Sequence, residues 1–149
     1  MISQQLLKQC KVTQAITVTN GAAGSADIEG VTLDMSGYEG VLMIVQFGAI
    51  VSGAVTAITA QQGAASDLSD ATNLLGTGQT VADTDDEDTF IIDLYKPRER
   101  YVRVHVDRAT QNATCSAIYI QYGARTEPVT SASTSIKVES HVSPAEGTA

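Results

Sequence analysis

A chain of 149 residues with 43% hydrophobic content is long enough for one domain with a core of its own, without metal or disulfide staples. The net charge of −8 argues against nucleic acid or an anionic membrane as partner, because phosphate binding needs clustered positive charge. Aromatics are scarce, Trp is absent, and no run approaches the roughly 20 apolar residues needed to cross a bilayer, so abundant Thr, Ser, Ala, Gly and Val point to strands and turns.

Met1 to Gln5 carries no charge and no apolar segment follows it, so no signal peptide is read and synthesis in the cytoplasm is expected. Cys10 to Thr19 alternates as a first strand, with Val12, Ile16 and Val18 on one face. Asn20-Gly21 turns the chain. Ile28 to Met35 reads as one continuous second strand with Val31, Leu33 and Met35 inward, ended by the turn Ser36 to Gly40. Val41 to Phe47, VLMIVQF, is nearly unbroken in apolar character and predicts a central strand buried on both faces. Ala54 to Gln61 follows as a further strand after the connection Gly48 to Gly53.

From Gly63 to Asp88 the alternation fades. Ala64 to Leu75 predicts one or two helical turns, capped by Ser66 or Asp67 and ended by Gly76-Thr77-Gly78. Asp83 to Asp88 is a solvated acidic loop. Its oxygen ligands would suit Ca²⁺, but the spacing fails the EF-hand pattern: the sixth position is Asp88 and no Glu stands at the twelfth. Thr89 to Tyr95 is the next strand. In the one after it, Val102, Val104 and Val106 face one way and Tyr101, Arg103, His105 and Asp107 the other. Beyond the turn Thr110-Gln111-Asn112, one row holds Thr114, Ser116, Ile118, Ile120 and Tyr122, and the other Ala113, Cys115, Ala117, Tyr119 and Gln121.

These elements predict a single all-β domain over residues 1–129, an antiparallel sandwich or jelly-roll-like barrel of about seven or eight strands. Thr130 to Ala149, rich in Ser, Thr, Ala and Pro, is read as a tail or an arm that orders on a neighbouring subunit, with a weak strand at Ser135 to Glu139. Cys10 and Cys115 fall in strands and are expected to be buried free thiols.

No phosphate cradle, GxSxG nucleophile turn or CxxC pair occurs, so no catalytic, cofactor or metal site is assigned and no enzymatic activity is expected. Charge is distributed unevenly. Residues 61–95 hold eight acidic groups and no basic one, whereas Lys96 to Arg108 holds five basic groups against Glu99 and Asp107. A candidate interface therefore comprises Arg98, Arg100, Arg103, His105 and Arg108 with Asp83, Asp85 and Asp86, the cations meeting the acidic loop of the same or an adjacent subunit.

Ile91 to Tyr95, Lys96-Pro97, Arg100 to Val104, Thr110 to Asn112, Ile118 to Gly123 and Pro128-Val129 together resemble a run found in small β-rich structural proteins of tailed bacteriophages. Those proteins are often encoded near the major capsid protein. The resemblance implies a virion component of the phage head, a capsid decoration (cement) or minor head protein, with the major capsid protein as partner and a homotrimer as its form. It implies no cofactor. A tail or head–tail connector protein is the alternative. A carbohydrate-binding β-domain fits less well, because the chain lacks Trp and a strand-borne carboxylate pair.

Overall fold

The computed structural model describes residues 5–148; the Met1 to Gln4 part of the leader reading, and Ala149, lie outside them. After a one-turn helix α1 (Leu6–Gln9) come ten strands: β1 (Lys11–Ile16), β2 (Ile28–Glu29), β3 (Leu33–Asp34), β4 (Gly40–Ile50), β5 (Val55–Gly63), β6 (Thr72–Asn73), β7 (Gln79–Val81), β8 (Thr89–Tyr95), β9 (Tyr101–Ala109) and β10 (Ala113–Tyr122). They form two antiparallel sheets. The first has the order β1-β10-β4-β8; in the second, β9 and β5 are central, with β2 and β3 on one side and β6 and β7 on the other. The fold is an all-β sandwich.

The core lies between the sheets. Val41, Met43, Val45 and Phe47 of β4 and Ala117 and Tyr119 of β10 face Val102, Val104 and Val106 of β9, with Ile58 and Ala60 of β5 beside them. The three β9 valines are 0% exposed, so the alternation read for that strand holds in register. Phe47 and Phe90 pack edge to face with ring centroids 5.6 Å apart. Tyr119 is wholly buried, and its hydroxyl accepts a hydrogen bond from the Val104 N–H at 2.9 Å, linking the first sheet to the second. Both cysteines are free and buried, and burial pushes their thiols up.

Four sequence expectations are corrected. Ile28 to Met35 is two short strands, because the chain must leave β9 between them. Gly30 donates to the Val104 carbonyl and Val31 to the Ala15 carbonyl of β1, so this corner joins the two sheets. A Cβ on Gly30 would collide with the Tyr119 hydroxyl and the Val104 side chain, and Val31 turns outward. β4 is buried on one face only: Leu42 and Ile44 are half-buried on the outside and Gln46 is exposed. Ala64 to Leu75 is not helical. The Asp70 carboxylate accepts from the Ala64 and Ala65 N–H groups and Asp67 from Ser69, so local side chains take the donors a helix would need. Last, Ser135 to Glu139 forms no strand. The Ser133 hydroxyl accepts from the Ser135 and Ile136 N–H groups and folds that stretch into a turn.

The tail is anchored at its start. Val129 donates to the Lys8 carbonyl, and the buried Ser131 hydroxyl accepts from Val12 N–H and donates to the Cys10 carbonyl, blocking part of the free edge of β1.

Candidate interaction surfaces

β9 places the basic residues, and its parity decides their fates. Arg103 and His105, at odd positions, lie on the outer face of the second sheet, whereas Arg108 takes the inner parity of the valines and is buried. The Arg108 guanidinium donates to the carbonyls of Ala26 (2.7 Å), Ala22 (2.9 Å) and Ala113 (2.7 Å), while its N–H donates to Asp27. The expected exposed interface role for Arg108 is therefore corrected: it pins the Ala22–Asp27 loop to the start of β10.

On the outer face, cations meet carboxylates of the strands beside them. The Arg103 guanidinium forms a two-pronged pair with Glu29, both bonds 2.7 Å, and donates its Nε–H to Gln61. Arg100 does the same with Asp34, at 3.0 and 2.8 Å, and lies 5.2 Å from the Tyr101 ring. The Arg100 hydrogen bond is the main reason the Asp34 carboxyl stays below its ordinary range. His105 Nε2 lies 3.9 Å from Asp27, and Lys96 reaches Glu39 at the same distance. Among the exposed cations of the set, Arg98 alone has no carboxylate partner among the described residues; its backbone N–H binds Gln62.

Within one chain, the expected meeting of these cations with the acidic loop does not occur. The loop precedes β8 and Arg98 and Arg100 follow it, so the two groups sit at opposite ends of that strand. The loop's carboxylates serve the backbone instead. Asp86 accepts from Ile50 N–H (2.7 Å) and Asp83 from Gly53 N–H (2.6 Å), which clamps the β7–β8 loop onto the β4–β5 turn, while Asp85 accepts from Ala82 N–H (2.8 Å) within the loop. Among the described residues no group of three or more His, Cys, Asp or Glu is placed to hold a metal ion.

The outer face of the first sheet is of another kind. One row across it is Gln14, Ile118, Ile44 and Ile91, and the next is Val12, Ile120, Leu42 and Asp93, flanked by Tyr122 and Tyr95. Ile91 is 50% and Ile118 38% exposed. Asp93 is the one charge in these rows, and it accepts the Tyr122 hydroxyl proton at 2.6 Å. Partial burial, and then the neighbouring Asp93 carboxylate, push the Tyr122 phenol up to about 12. Sequence reading missed this face because it assigned β4 two buried sides. The outward Ile118 and Ile120 of β10 were the available signal.

The clefts are open and shallow. One, of about 460 Å³, runs along the edge of β1 between Lys11 to Gln14, Val31 and Thr130 to Ile136. Such a groove offers hydrogen-bonding edges, hydroxyls and methyl groups.

No family model and no curated protein matches the chain. Among solved structures, the PBSX exported protein XepA superposes with a TM-score of 0.51 over 95% of this chain, at 13% identity. The match takes in 46% of that protein, so this chain spans less than half its length. The structure of the infectious bursal disease virus Gx strain gives a TM-score of 0.40, with 13% identity, over 81% of this chain and 31% of the other. At such identities the XepA likeness establishes a shared β-sandwich fold.

Proposed function

We propose that this protein is a structural component of a phage particle, a decoration protein that binds the outside of the head and strengthens the shell. One observation carries the reading: the sandwich's two broad faces divide into a polar, ion-paired one and an apolar, nearly uncharged one. Contacts between permanent partners are apolar, whereas contacts with a separately assembled partner are polar and wet. A protein that assembles with itself and then attaches to a finished shell needs one surface of each kind. The sequence resemblance over Ile91 to Val129 supports the phage assignment, and the β-sandwich fold shared with the PBSX exported protein XepA is in keeping with it. The partner on this reading is the major capsid protein, the assembly a trimer, and the work is done by buried area without bond chemistry.

The polar face and the unpaired Arg98 beside it form the shell-facing surface. Heads of the encoding phage, prepared without this protein, test the assignment. Added protein is expected to sediment with them at a fixed number of copies per shell and to raise the temperature at which they rupture. Binding to tails and not heads would make it a tail or connector component, and binding to no particle would end the virion reading. Arg98→Gln with Arg100→Gln is expected to weaken attachment while stability falls only slightly, since both side chains are exposed and the Arg100–Asp34 pair lies at the surface.

A further inference from the structure

We infer that the C-terminal arm of one copy lies across the apolar outer face of the first sheet of a second copy. The face, four strands wide and about six residues long, covers roughly 400 Å². A stable contact between rigid proteins needs roughly 800 Å² on each side. The face is too small for a globular partner acting alone and the right size for an extended segment.

The arm fits it in three respects. Beyond Ser131 the hydrogen bonds found among the described residues stay within the arm. Its Val138 and Val142 remain exposed, the second at 86%, so the arm carries apolar side chains its own domain does not cover. In an extended chain Val138 and Val142 point to the same side roughly 13 Å apart, close to the roughly 14 Å between the outermost strands of a four-stranded sheet. Glu139 and His141 would then face solvent, and no like charge meets Asp93.

The occupant is a second copy's arm because the chain's own arm is led elsewhere. Ser131 fixes it to the free edge of β1, and the cleft along that edge is lined by the arm's own Thr130 to Ser133, Ser135 and Ile136 together with Val31 on the seam between the sheets. From Ala132 to Thr148 an extended arm reaches roughly 55 Å, ample for a neighbour. Arm and face are different patches, so the contact closes either as a reciprocal exchange between two copies or as a head-to-tail ring. The inference concerns self-association and stands apart from what the assembly attaches to.

Two full-length variants test it. Ile91→Asp with Ile118→Asp blocks the face and leaves the arm; Val138→Asp with Val142→Asp blocks the arm and leaves the face. All four side chains are exposed, and circular dichroism checks that each variant folds; if the face variant does not, Ile91→Gln with Ile118→Gln replaces it. By sedimentation the parent is expected to form a closed oligomer, and each variant alone to associate at least tenfold more weakly. An equal mixture is expected to form one-to-one dimers, since one arm and one face remain. A monomeric parent at millimolar concentration, an arm variant that associates like the parent, or a mixture that stays monomeric would each overturn the inference.

Discussion

β9 and β10 are adjacent in sequence, joined by one tight turn, and share the same alternation, yet their outward rows differ. β9 shows Tyr101, Arg103, His105 and Asp107 to the outside, and Arg103 and the preceding Arg100 are clasped by Glu29 and Asp34. β10 shows Thr114, Ser116, Ile118, Ile120 and Tyr122, and joins them to Leu42, Ile44 and Ile91 of adjacent strands. The difference teaches that alternation identifies the inward row of a sandwich, whereas the composition of the outward row tells water from protein as its neighbour. A dense row of cations is not in itself an unsatisfied surface; here it is mostly satisfied within the chain.

Removing the buried member of the basic row gives the largest expected effect. Arg108→Met strips donors from three carbonyls and should cost about 3 kcal/mol, since hydrogen bonds to charged groups contribute about 1.5–3 kcal/mol each and part of the loss is recovered by water at the loop. A lower urea midpoint with unchanged slope is the readout. Tyr119→Phe leaves the Val104 N–H without its partner and should cost about 1–2 kcal/mol by the same measurement.

Effects on the faces should be smaller and opposite in kind. Arg103→Gln breaks a pair whose arginine is 11% exposed, and about 1 kcal/mol of stability should go with it, less at high salt. Ile118→Thr should change the melting curve by under about 0.5 kcal/mol yet weaken self-association. Sodium chloride from 0.1 to 1 M should leave that association intact, and sulfate should strengthen it, because the contact is apolar. Weakening by salt would return assembly to the charged face.

Proton linkage separates the faces further. The Tyr122 phenol is raised in the folded state to about 12, against roughly 10 unfolded. Its contribution is complete below pH 10 and is lost as pH rises from there towards 12. Tyr122→Phe should flatten the decline in urea midpoint across that window. Asp34, lowered by Arg100, acts in the other direction: its contribution is present above roughly pH 3.9 and is lost as pH falls below it. Arg100→Gln should therefore reduce acid sensitivity and leave the alkaline limb alone.

The sandwich was legible because its long strands obey a period of two. Thr89 to Tyr95 and Tyr101 onward appear with the bounds read from sequence, and Val102, Val104 and Val106 point inward as expected. The candidate site was legible only in part. Counting charge along the chain brought Asp83 to Asp86 near the arginines, but intervening β8 carries them to opposite ends. Arg108 was grouped with exposed cations although its even number placed it among the valines. The pairs Arg103–Glu29 and Arg100–Asp34 join residues 74 and 66 positions apart, a separation no local pattern encodes. Sheet order, which sequence left open, creates both.

The placement of β1 has a consequence for when the protein can fold. The first strand has no early strand partner: it pairs with β10, Lys11 opposite Gln121, and its Val12 N–H finds an acceptor only in Ser131, 119 positions later. At about 5–20 residues per second of synthesis, the first strand waits roughly 6–24 seconds for its partner to leave the ribosome. Folding is thus completed after translation of the domain, and until then an unpaired strand edge is available to chaperones or to a neighbouring nascent chain.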